Sequence, residues 1–192
     1  MDGSAPRIAK LAPESLTPEQ RGVYDAIAGG RRAEGPQLFR LVDDRGGLEG
    51  PFNAFLLQPR LGLALQDLGS AVRYETSLSD RAREIAILVV SVHWDCDFEW
   101  YAHRAVGRHI GLTDDELDSL GKQLFDVFSG DEQVVARTTH LLTSEGDLDD
   151  DAYAEALGVL GEVGLFELLT LVGYYGTLAL QLRVLRVAAP GS

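Results

Sequence analysis

The feature that most constrains this chain is an apolar run from Ile85 to Val92, broken only by Ser91 and followed at once by a cluster of reactive side chains. The whole stretch, REIAILVVSVHWDCDFEWYAH over residues 83–103, holds the sole cysteine, Cys96. It also holds two of the 4 histidines, His93 and His103, and both tryptophans, Trp94 and Trp100. A run that is apolar on all sides and rich in β-branched residues is a buried strand or a buried helix by periodicity alone. Ser79-Asp80 just before it is a helix-capping signal, and the neighbouring segments are helical, so helix is favoured.

Those neighbours carry clear helix signals. Thr17-Pro18-Glu19-Gln20 combines a capping threonine, a proline at the first helical position and a glutamine where a capping box needs it. Leu61, Leu65, Leu68 and Val72 recur at helical spacing after Pro59. FEWYAHRAVGRHIG reads as an amphipathic helix, Thr113–Glu116 as a second capping box and Ser129–Glu132 as a third. AYAEALGVLG and a long apolar helix from Leu165 to Val187 follow. Residues 30–51 are rich in Gly, Pro and charge and read as a long loop with one short turn at Leu38–Val42. No alternating strand pattern with hairpin turns occurs. The expectation is an all-α bundle of six to eight helices in one domain over residues 17–192, after a flexible lead-in of residues 1–16.

Composition narrows the function. A formal net charge of −13, from 30 acids against 17 basic residues, argues against nucleic acid as a partner. One cysteine excludes an internal disulfide and a CxxC redox pair. The first residues lack the apolar core of a secretion signal, and no apolar run is read as approaching the ~20 residues of a membrane span. The expected location is cytoplasmic, with no membrane partner. No nucleotide-binding or serine-hydrolase motif is present.

If residues 96–103 are helical, Cys96, Glu99 and His103 fall within about 60° of one face. Glu99 and His103 are an i, i+4 pair, and a carboxylate beside a histidine sets its tautomer and raises its basicity. Cys96 would lie in the first turn, where the helix dipole favours thiolate. Glu84 lies on the other side of Trp94-Asp95. On one unbroken helix it would be about 120° around and about 18 Å along the axis from Cys96, so it joins the site only if the chain bends there. The plain alternatives are a solvated Glu–His pair, an inert core cysteine and tryptophans that only pack. A metal site from His93, Glu99 and His103 lacks the right spacing, and neither metal nor other cofactor is expected.

The spacing Glu84–(11 residues)–Cys96-x-x-Glu99-x-x-x-His103, with Gly107 and RHIGLTDDEL after it, resembles the carboxymuconolactone decarboxylase family, which includes the alkyl hydroperoxidase D-like proteins. GPFNAFLLQP (residues 50–59) and LVGYYGTLAL (171–180) are similar to that family's flanking helices. In the peroxidase branch a second cysteine stands where this chain has Glu99. FEWYAH is instead similar to the E-W-x-x-H of the decarboxylase-like branch. The resemblance implies an all-α alkyl hydroperoxidase D-like fold that assembles as a homo-oligomer (dimer, trimer or hexamer). It implies cofactor-free acid–base chemistry on a small organic acid or lactone, by decarboxylation or isomerisation. The implied catalytic residues are His103, Glu99, Glu84 and Cys96, with Trp100, Asn53, Phe52 and Tyr174 contacting the substrate. Two other readings stay open: a thiol peroxidase using Cys96 with an external reductant, and a non-catalytic oligomeric small-molecule binder.

Overall fold

The computed structural model describes residues 5–34 and 36–190. Among them eight α-helices follow in order: α1 (Pro18–Ala28), α2 (Phe52–Phe55), α3 (Pro59–Tyr74), α4 (Asp80–His93), α5 (Asp97–His109), α6 (Asp114–Gly121), α7 (Asp131–Ser144) and α8 (Asp150–Leu185). The β pairing among the described residues is one isolated antiparallel bridge, Val42 to Leu48. The fold is all-α.

The ambiguous apolar run is helix α4, and its surroundings explain its composition. It packs against α5, α6, α7 and α8. Ile85, Ala86, Ile87, Leu88, Val89 and Val90 are each at most 1% exposed. A helix with neighbours on every side needs no polar face. Its start is fixed as expected: the Ser79 hydroxyl accepts the Ala82 N–H at 3.1 Å.

Two of the three expected capping boxes form, at Thr17–Gln20 and Thr113–Glu116. The third does not. Gly130 occupies the cap of α7 at φ 57°, with no side-chain cap. The Glu132 carboxylate instead meets Arg81 at 2.7 Å. Arg81 also meets Glu116 at 2.7 Å and donates to the Gly111 carbonyl at 2.7 Å. One part-buried guanidinium thus ties α4 to α6 and α7, a bidentate ionic arrangement stronger than a single cap bond.

The bend between the halves of the central stretch is present. α4 stops at His93 and α5 starts at Asp97, with Asp95 at φ 48° between them. Aspartate tolerates this left-handed conformation better than most residues. Arg183 from α8 clamps the turn, donating to the Asp95 carbonyl at 2.7 Å and its carboxylate at 2.9 Å.

Three other segments differ from expectation. The 30–51 loop carries a 3₁₀ turn at Arg31–Ala33 and the Val42–Leu48 bridge rather than a turn at Leu38–Val42. Residues 5–16, expected as a loose lead-in, lie along the body. The Arg7 N–H donates to the Leu185 carbonyl at 2.9 Å, and Leu11 and Leu16 pack on the core. Residues 1–4 of that lead-in lie outside the described residues. Helix α8 is long and apolar enough, by length and composition, to cross a membrane, contrary to the sequence expectation. Its inner face, with Leu165, Leu168, Leu171, Tyr175, Leu178 and Leu182, is buried in this fold.

Candidate active site

The bend folds α5 back beside α4 and brings Glu84 to His103. Nδ1 of His103 lies 2.6 Å from Oε2 of Glu84, and Nε2 lies 3.3 Å from Oε2 of Glu99. Glu84, Glu99 and His103 are 2%, 4% and 4% exposed. The Glu–His pair is therefore not a solvated surface pair. Both ring nitrogens face carboxylates, an arrangement that the imidazolium satisfies with two N–H donors. Burial pulls the His103 pKa down, but the charge and hydrogen bond of Glu84, joined by Glu99, outweigh it and the net shift is upward.

Tyr175 of α8 closes the other side, its ring edge-on to His103 at a centroid distance of 5.2 Å. Tyr174 stands against Tyr175 in the same T-shaped manner at 5.3 Å. Two arginines act on the tyrosines, Arg73 on both of them. Arg73 of α3 acts on Tyr175 and on Glu84, and Arg32 acts on Tyr174. Burial opposes the Arg73 charge, but Tyr175 and Glu84 more than offset it, so its pKa is raised. Burial pushes the Tyr174 phenol up to about 12 against the pull of Arg32, so it stays a neutral donor at neutral pH. The approach depends on Gly69, since a Cβ there would lie 2.1 Å from the Tyr174 hydroxyl and 2.6 Å from an Arg32 nitrogen.

Between these groups is a narrow cavity of ≈ 20 Å³, bordered by Glu99 and His103, Arg32 and Arg73, and the rings of Phe52 and Tyr174. That volume holds about one water. On the far side of Glu84 an open cleft of ≈ 390 Å³ is lined by Arg73, Thr76 and Arg83. Glu84 borders this cleft and reaches the small cavity through His103.

Of the eight residues expected at the site, Glu84, Glu99, His103, Phe52 and Tyr174 come together. Cys96, Asn53 and Trp100 do not border the cavity. Cys96 is the N-cap of α5 and packs with Phe98, Ala102, Ala179 and Leu182. The expected thiolate is not favoured. Burial, with the Glu99 charge added, pushes its pKa up to about 12 and overrides the N–H groups of Glu99 and Phe98. The Asn53 amide is spent on the N-terminal segment, accepting from Leu11 N–H and donating to the Ala9 carbonyl, each at 3.0 Å. Trp100 packs on the Leu112, Leu117 and Leu120 cluster, with Arg104 over its ring at 5.9 Å. His93 is exposed, with its ring edge-on to Trp94.

Sequence reasoning missed Arg32, Arg73 and Tyr175. Tyr175 stands next to a residue that was named. Arg73 lies one position past the apolar Val72 of the α3 stripe and reads as helix surface. Arg32 lies in the loop, where no periodicity operates.

Residues 59–137 match the family model described as "Carboxymuconolactone decarboxylase family", so this segment is similar to that family. Similar solved structures agree on the fold. A protein of unknown function from Agrobacterium tumefaciens, assigned by its description to AhpD antioxidant defence, has a TM-score of 0.66 at 18% identity, over 75% of this chain and 100% of that one. The debrominase Bmp8, as a cysteine variant in complex with 2,3,4-tribromopyrrole, has a TM-score of 0.75 at 12% identity, over 99% and 95%. An uncharacterised peroxidase-related protein from Ralstonia eutropha JMP134 with an AhpD core has 0.75 at 10% identity, over 98% and 94%. No curated protein matches the chain.

Proposed function

We propose that this protein is a cofactor-independent acid–base enzyme acting on a small organic acid or lactone, by decarboxylation or isomerisation. The observation that carries the reading is the buried His103 held between Glu84 and Glu99. An imidazole in that position keeps a proton and holds it in a fixed direction, as a general acid must.

In the decarboxylation form, the bond between the substrate carbon and its carboxylate breaks and carbon dioxide leaves. The electron pair passes into the conjugated lactone as dienolate charge. Protonated His103 stabilises that charge and delivers its proton to carbon, forming the new C–H bond. Glu99 orients the ring from the cavity side. Glu84 bonds the other nitrogen and borders the open cleft, where solvent can return the proton. Isomerisation needs the same groups, with a proton removed and replaced.

A thiol-peroxidase role fits less well. The sole cysteine is buried with a raised pKa, while thiol chemistry needs an accessible thiolate. The same proposal takes the protein as a cytoplasmic homo-oligomer with a small-molecule substrate. The net charge of −13 weighs against nucleic acid.

The test is carbon dioxide release and ultraviolet absorbance on 4-carboxymuconolactone and related lactone acids. His103→Gln is expected to lower turnover by about 10²–10⁴-fold. Near-normal turnover in that variant, or none by the unaltered protein on any lactone acid, would end the acid–base reading.

A further inference from the structure

We propose that Arg32 and Tyr174 form the receptor for the carboxylate of a small, monoanionic, unsaturated acid, facing the Glu99–His103 pair across the cavity. The proposal takes from the acid–base reading only the identity of the reacting pair; the binding stands on its own observations.

Neither guanidinium at the cavity is ion-paired among the described residues, and they differ in the charges that lie near them. Arg73 acts on Glu84. The partners of Arg32 are neutral. Its Nε donates to Oε1 of Gln66 at 2.8 Å, and its carbon Cζ lies 5.1 Å from the centre of the Phe52 ring. It forms no ion pair among the described residues, although its neighbour Arg31 reaches Glu75 at 3.7 Å. Formally, Arg73 and protonated His103 match Glu84 and Glu99. The Arg32 charge is left without a counter-charge, and one carboxylate would supply it. A dianion would leave a negative charge in excess in a largely buried site, which is costly.

The second observation is the Tyr174 hydroxyl. Tyr174 is 4% exposed and borders the cavity, and the group nearest its hydroxyl is the Arg32 guanidinium, itself a donor, so the O–H has no acceptor among the described residues. A buried, unsatisfied donor of this kind is costly unless a ligand completes it. A neutral phenol beside a guanidinium offers two donors to one carboxylate, the arrangement that gives short, charge-assisted bonds. Gly69 leaves them the space. The rest of the wall includes Phe39, Phe52, Phe98 and Leu178, which suits an apolar, flat body. The cavity as it stands holds about one water, so the acid enters only as a wall side chain gives way. Arg32 is half-buried, held by Gln66 and by its stack on Phe52. Arg32, Phe39, Phe52 and Tyr174 all lie outside residues 59–137, the segment that matches the family.

Titration calorimetry with sorbate and its neutral isostere sorbamide tests this on the full chain. The unaltered protein is expected to bind sorbate about 10-fold or more tighter than sorbamide, since a hydrogen bond to a charged group contributes about 1.5–3 kcal/mol. Arg32→Gln should erase that preference, with sorbate losing more affinity than sorbamide. Arg32→Lys should keep part of it, and Tyr174→Phe should reduce it. Persistence of the preference in Arg32→Gln, or its absence in the unaltered protein, overturns the proposal, as does failure to bind either compound. Binding is read without turnover. An Arg32-dependent sorbate preference in a protein that turns over no lactone acid would therefore remove the acid–base reading and leave this one in place.

Discussion

At the residue scale, His103 carries the proposed chemistry. Burial alone would make it a neutral base, and the carboxylates on both sides make it an acid instead. The sign follows for stability. A histidine whose folded pKa is raised contributes stability fully below the unfolded value of about 6.5 and loses it as pH rises through the folded pKa. The imidazole titration followed by NMR is expected to have its midpoint above about 6.5, and Glu84→Gln should move it down. A midpoint at or below the ordinary histidine value would contradict the geometry. Cys96 carries the opposite expectation. With its pKa pushed up to about 12, it should resist alkylation by iodoacetamide at neutral pH in the folded protein. Cys96→Ala should leave turnover near normal. Fast labelling would reopen the thiol reading.

At the element scale, the site depends on two interruptions. The first is the turn at Asp95, which converts a separation of about 28 Å along a straight helix into a contact of 2.6 Å between Glu84 and His103. The second is Gly161, at φ 66° and ψ 175°, which divides α8 in two. That conformation is essentially open to glycine alone, and forcing another residue into it costs about 1–3 kcal/mol. Space is not the obstacle, since an added Cβ at Gly161 would meet nothing within 4 Å. Gly161→Ala is expected to lower stability by that amount in chemical denaturation, and an unchanged midpoint would show that the segment accommodates a straight helix.

At the scale of the whole molecule, the outer face of α8 is the open question in the packing. Val163, Phe166, Leu169, Leu180 and Val184 are all at least 44% exposed and recur along one helical stripe, and Leu61 and Leu68 of α3 are exposed as well. Apolar surface of this extent on one helix is the kind that subunit association buries. Light scattering of the purified protein should give a homo-oligomer, and Phe166→Glu should shift it towards monomer. A monomeric unaltered protein would count against the oligomer proposal and would leave the stripe without a stated role.

Local chemistry was legible in the amino-acid order. Helix starts at Thr17, Ser79 and Thr113 depend on side chains within three residues of the bonds they make, so their pattern is enough. The Glu99–His103 pair is legible for the same reason, and the demand for a bend at Trp94–Asp95 follows from rigid helix geometry. Three facts depend on groups distant in sequence, and only the tertiary structure decided them. Glu132 leaves its cap because Arg81 reaches it from α4. Cys96 loses its thiolate character because α8 supplies Ala179 and Leu182 to bury it. Arg32 and Arg73 meet the tyrosines of α8 across more than 100 residues of chain. No local pattern encodes such meetings, because burial and charge act through space rather than along the chain.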